Sequence, residues 1–182
     1  MNYQMNTSIH SRPWGRTLLG LGSVAVLGAT ALAGFAKPAP KGKGLEKNSY
    51  FQRIATFPIF RNSDIDNETV SEIVDASKDG NTLVYTDSGL EAIGFVDLSD
   101  PANPQPDGIF AVNGEPTSVA VAGRYALAAV VTDGTFTDPQ GELVVIDIKK
   151  RTSVATFDLG GQPDAAAVSP DGRFAAVVIE NE

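Results

Sequence analysis

Ser77-Lys78-Asp79-Gly80-Asn81 returns as Ser169-Pro170-Asp171-Gly172-Arg173, and Arg53-Ile54-Ala55-Thr56-Phe57 returns as Ser153-Val154-Ala155-Thr156-Phe157. Two blocks copied in the same order mean internal repetition. A middle copy joins them. Pro116-Thr117-Ser118-Val119-Ala120-Val121 matches Pro163-Asp164-Ala165-Ala166-Ala167-Val168, and Gly123-Arg124-Tyr125-Ala126 matches Gly172-Arg173-Phe174-Ala175 after a hairpin shorter by two residues. Phe95-Val96-Asp97-Leu98 likewise matches Val145-Ile146-Asp147-Ile148. From Glu72 to Thr117 to Asp164 the steps are 45 and 47 residues, within the roughly 40–50 residues that one propeller blade takes.

Each period divides into four short runs, which in the second copy are Ser118 to Ala122, Tyr125 to Val131, Glu142 to Ile148 and Ser153 to Leu159. Their apolar residues are consecutive rather than alternating, as in Leu143-Val144-Val145-Ile146, and such runs are strands buried on both faces. Blades packed between two neighbours meet that condition, and the Ala-rich first runs suit crowded inner strands. Asp79-Gly80 and Asp171-Gly172 fall where a tight hairpin needs positive φ. Pro101 and Pro104 hold the turn from third to fourth strand. A helical solenoid would need apolar residues at i, i+3 and i+4, and an immunoglobulin-type sandwich would not repeat about every 46 residues. The fold expected is all-β: a β-propeller with two four-stranded blades and parts of others. Gln52 to Phe60 stands as a fourth strand ahead of the first copy. The chain stops after the second strand of the third, leaving Phe174 to Ile179 as an open edge prone to association. A ring of about seven blades takes on the order of 300 residues, so the reading expects a longer natural protein of which this is the amino-terminal portion.

Residues 1–36 read as a helical signal peptide. Arg12 and Arg16 precede the apolar stretch Thr17 to Leu32, and Ala31-Leu32-Ala33 offers a cleavage site, with Gly34-Phe35-Ala36 a second. The alternative is an uncleaved anchor. No Cys comes after it, which excludes a bacterial lipid anchor, and Ser11-Arg12-Pro13 lacks the arginine pair of the twin-arginine route. Residues 37–48 form a basic, flexible linker, and 49–182 the propeller portion. The expected destination is the periplasm or beyond, with no membrane attachment after cleavage. The signal holds two of the 14 basic residues and none of the 22 acidic ones, so the mature portion carries a net charge of minus ten. Nucleic acid is not an expected partner. His10 and Trp14 are the sole residues of their types and lie in the signal, and there is no Cys. Triads built on imidazole or thiolate, zinc sites of the usual kind and disulfides are thereby excluded downstream, and any metal would be a hard, oxygen-bound cation.

Strand alternation brings the loops joining fourth to first and second to third strands to one end of the ring. Acids gather in them: Asp64, Asp66, Glu68, Glu72, Glu115 and Asp164 in the first kind, and Asp87, Asp133, Asp138, Glu180 and Glu182 in the second. The expectation is an anionic rim in which Asp64, Asp66, Glu68, Glu72, Asp164 and Glu180 hold calcium, which could bridge to a phosphate. The plain alternative is a set of solubilising loop residues. Asp64-Ile65-Asp66-Asn67-Glu68 alternates like a calcium loop but lacks the Gly and distant Glu of an EF-hand. Asp97 and Asp147, at the opposite end, are explained by bonds to the adjoining turn.

Val168-Ser169-Pro170-Asp171-Gly172-Arg173-Phe174-Ala175-Ala176-Val177 resembles the repeat of YVTN-type bacterial propellers. Ile93-Gly94-Phe95-Val96-Asp97-Leu98-Ser99-Asp100-Pro101-Ala102-Asn103-Pro104 resembles the LVIVD-type repeat of secreted ones. Tyr50 to Glu182 as a whole is similar to the start of exported proteins of the esterase-like phytase family and of choice-of-anchor I propellers. The first resemblance implies a calcium-dependent phosphoric-ester hydrolase whose catalytic positions lie beyond Glu182, with this segment as an inactive scaffold and phosphorylated small molecules as ligands. The other class is a non-catalytic binding or adhesion propeller with a surface or extracellular ligand. One fold serves both.

Overall fold

The computed structural model describes residues 52–132 and 137–180, together with the backbone of Ser23–Gly28. In the first complete blade, β3 (Ser71–Ala76), β4 (Thr82–Asp87), β5 (Ala92–Asp97) and β6 (Gln105–Ala111) succeed one another as an antiparallel meander. The second repeats it with β7 (Glu115–Ala122), β8 (Tyr125–Val131), β9 (Gly141–Asp147) and β10 (Thr152–Asp158). A third sheet pairs β11 (Gln162–Val168) with β12 (Ala175–Glu180), and β2 (Gln52–Pro58) precedes the first blade. The elements match the periods read from the sequence, except that the run expected to reach Phe60 leaves strand at Pro58 and enters a short 3-10 helix, Ile59–Asn62.

One correction concerns the leader. Where a helix was expected, Ser23–Gly28 forms a strand, β1, paired antiparallel with β2. The glycines flanking this stretch weaken a helix, and its two β-branched valines suit an extended backbone. Pairing also gives partners to the free N–H and C=O groups along one edge of β2. The rest of the expected signal and the basic linker lie outside the described residues.

The copied motif is turn chemistry. Ser77 Oγ donates to Asp79 Oδ1 (2.6 Å), Asn81 N donates to the same oxygen (3.1 Å), and Thr82 N donates to Ser77 Oγ (3.0 Å). The third copy repeats this with Ser169, Asp171, Arg173 N and Phe174 N at 2.6, 3.1 and 3.0 Å. Gly80 and Gly172, at φ 74° and 69°, take the left-handed position. The hydroxyl of each Ser, then the backbone donor, holds each carboxylate below its usual range.

Blades stack face to face, β7 against β3, β4 and β5, and β11 against β7, β8 and β9. Val84, Ile93 and Phe95 of the first blade meet Val119, Ala128, Val130, Val144 and Ile146 of the second, while Tyr85, Val96 and Leu98 on the other face cover Phe57 and Ile59. Consecutive apolar residues therefore do mean burial on both faces in β4, β5 and β8. The outer strands β6 and β10 and the third sheet are largely exposed. Polar clamps join the blades at offsets near one period. Val121 N donates to Asp75 Oδ2 (2.7 Å), Thr117 Oγ1 to the Pro163 carbonyl (2.7 Å) and Ala166 N to Ser118 Oγ (3.0 Å), at separations of 46, 46 and 48 residues.

Candidate functional site at the two blade ends

The loops 63–70, 88–91, 112–114 and 159–161 share one end, tied together by bonds such as Ser88 N to the Val70 carbonyl (2.9 Å) and Leu159 N to that of Gly141 (2.9 Å). Glu72, Thr117 and Asp164, the residues that mark the period, sit where the first strand of each copy slips register against the second, between Ser71 and Val74, Pro116 and Ser118, and Pro163 and Ala165. A bulge in the first strand of each copy is thus part of the repeat.

The six acids expected to hold calcium belong to these loops and the adjoining strand ends. Asp64, Asp66, Glu68, Glu72, Asp164 and Glu180 are all exposed. Among the described residues no three carboxylates come together as a metal site. Asp64 Oδ1 accepts from Asp66 N (3.1 Å), a local turn. Asp133 and Glu182 lie outside the described residues. Asp87 differs from its neighbours in the set. It is fully buried at the end of β4, where Oδ1 accepts from Val70 N (2.8 Å) and Leu90 N (3.3 Å) and Oδ2 has no partner. Burial pushes its carboxyl up, against those backbone donors.

The opposite end carries more organised chemistry. Asp97 accepts from Ser99 N (2.8 Å) and Asp147 Oδ1 from Lys149 N and Lys150 N (3.1 Å each), the turn bonds the sequence led us to expect. Asp147 Oδ2 also pairs with the Arg124 guanidinium, which holds this carboxyl low. Arg151, with φ 55°, crosses from the second blade to lie 3.7 Å from the centre of the Phe95 ring while pairing with Asp107. Asn62 binds the 3-10 helix to the first blade, donating to Tyr85 Oη (2.9 Å) and the Phe95 carbonyl (2.7 Å) and accepting from Asp107 N (3.0 Å) and Gly108 N (3.2 Å). The contacts of Arg124, Arg151 and Asn62 were not expected from the sequence. The run Lys149-Lys150-Arg151 beside the short Gly123-Arg124 hairpin was the available signal.

Residues 72–182 match the model of the choice-of-anchor I domain. The chain belongs to that family. No curated protein matches it. Solved structures similar to this choice-of-anchor I chain include hydrazine synthase of Kuenenia stuttgartiensis, 25% identical over 59% of this chain and 28% of that one, with a TM-score of 0.48. A functionally unknown protein from Desulfotomaculum acetoxidans is 12% identical over 59% and 32%, with a TM-score of 0.46. The β-propeller domain of Myceliophteria thermophila Cps50 (Swd1) is 12% identical over 63% and 34%, with a TM-score of 0.47. The chain spans about a third or less of the length of each. Choice-of-anchor domains are typically carried by exported or surface proteins.

Proposed function

We propose that this choice-of-anchor I segment is a non-catalytic binding propeller, exported to the periplasm or cell exterior. One observation carries the reading: Asp64, Asp66, Glu68, Glu72, Asp164 and Glu180 are exposed and form no metal-holding group among the described residues, while Asp79, Asp97 and Asp171 are bonded to their own turns. General acid–base or metal-assisted chemistry needs carboxylates converging on one reacting atom. Dispersed acids supply solubility and a repulsive field for polyanions instead.

The second reading, scaffold of a calcium-dependent phosphoric-ester hydrolase, draws on the resemblance of Tyr50 to Glu182 to the phytase-like proteins and on the density of acids at one end. Calcium titration followed by thermal unfolding, with turnover of p-nitrophenyl phosphate measured with and without chelator, separates the two. The binding reading expects no turnover and a Tm indifferent to calcium. A calcium-dependent rise in Tm with chelator-sensitive turnover would replace it by the hydrolase.

A further inference from the structure

The hairpin between β3 and β4 uses five connecting residues, Ser77 to Asn81, and the one between β7 and β8 uses two, Gly123 and Arg124. Stacked side by side, a long hairpin and a short one leave a step. The step is a recess of about 400 Å³ walled by Ser77, Lys78 and Asp79 of one blade and Arg124, Ile148 and Lys149 of the next. Most of its wall is carbon.

Three cations and one carboxylate line it, in a chain whose net charge is −8. The carboxylate, Asp79, is engaged by Ser77 Oγ and Asn81 N. Arg124 is held by Asp147, whose side chain is 1% exposed, while the Arg124 side chain remains 57% exposed. A buried acid thus fixes one edge of a planar donor fork and leaves the rest accessible, the arrangement that suits oxyanion recognition. Lys78 and Lys149 form no ion pair among the described residues.

We infer that this inter-blade recess binds a small organic oxyanion, its charged head between Lys78, Arg124 and Lys149 and its apolar body against Ile148. Pockets of this volume hold small molecules, with orientation set by a few polar groups on an apolar wall. The inference gives the binding reading a ligand class and rests on it.

The test uses the full chain, with amide chemical shifts followed during titration by phenyl phosphate, benzoate and inorganic phosphate at low salt. Phenyl phosphate should saturate and shift Ser77–Thr82, Gly123–Arg124 and Ile148–Lys149 together, binding about tenfold tighter than inorganic phosphate because of its ring. Benzoate binding as well as phenyl phosphate marks a carboxylate ligand, and binding more weakly marks a phosphate ester. The Lys78→Ala/Lys149→Ala variant should lose about tenfold in affinity, and Arg53→Ala/Arg173→Ala, which removes equal charge elsewhere, should lose none. Absence of saturation, shifts scattered over the basic surface, or equal weakening in both double variants would overturn the site. Those results would leave the phosphatase and calcium measurements untouched, so failure here is distinct from failure of the non-catalytic reading.

Discussion

Gly94 stands directly across the β4–β5 ladder from Tyr85, and the Tyr85 ring occupies the space a side chain at position 94 would need. The tyrosine is 1% exposed and its hydroxyl accepts from Asn62, so it has nowhere to turn. A residue with no β-carbon in one strand is therefore what lets the next strand anchor the 3-10 helix. The Gly in Ile93-Gly94-Phe95 is required by packing, not by backbone conformation.

Gly94→Ala should destabilise the chain by about 1–3 kcal/mol through overpacking, read as a lower urea midpoint. In the Tyr85→Val background the same change should cost less, and a double-mutant cycle measures the coupling. Additive losses would mean the ring is free to move.

Burial pushes the Tyr85 hydroxyl up from 10.0 to about 12, with Asp87 adding to the shift and the bond from Asn62 opposing it. The neutral form is favoured in the fold, so this contribution is complete below pH 10.0 and is lost as pH rises towards about 12. Over that window it amounts to about 2–3 kcal/mol. Tyr85→Phe should cost about 1 kcal/mol at neutral pH through the lost bond and flatten the alkaline decline. Parallel alkaline melting curves for both proteins would contradict the assignment.

Asp87 carries a raised carboxyl, so its contribution to stability is greatest below the ordinary value of 3.8 and falls as pH climbs through the folded value. Asp87→Asn keeps an acceptor for Val70 N and Leu90 N without the buried charge. It should match or exceed the parent at about pH 7 and lose that advantage at about pH 4. Asp87→Ala leaves both donors without that acceptor and should cost about 1–3 kcal/mol.

The repeat was legible because its signal is local. Ser77 and Asp79, or Ser169 and Asp171, satisfy their own turn within five residues, so any copy of the turn copies the letters. Glu72, Thr117 and Asp164 gave the period without revealing why, since a bulge has no fixed residue type. At the acidic end, Asp64, Asp66, Glu68 and Glu72 fall in one loop and the strand it enters, whereas Asp164 and Glu180 belong to the third sheet, a separation that sequence density does not show. The clamps from Asp75 and Ser118 were invisible because their donors are backbone N–H groups, which every residue but proline has. That the second copy has a short hairpin was visible, but its result, a recess against the longer hairpin of the first blade, appears only when the blades are stacked.

Clamps that span 46, 46 and 48 residues have a consequence for descent. Inserting or removing one whole period keeps the faces of neighbouring sheets in line, whereas losing a few residues between Asp75 and Val121 misaligns the faces of two sheets at once. Such a molecule varies freely in loop length and by duplication of entire blades. It resists every change in between, and its lineage should therefore differ in number of copies more readily than in the length of any one.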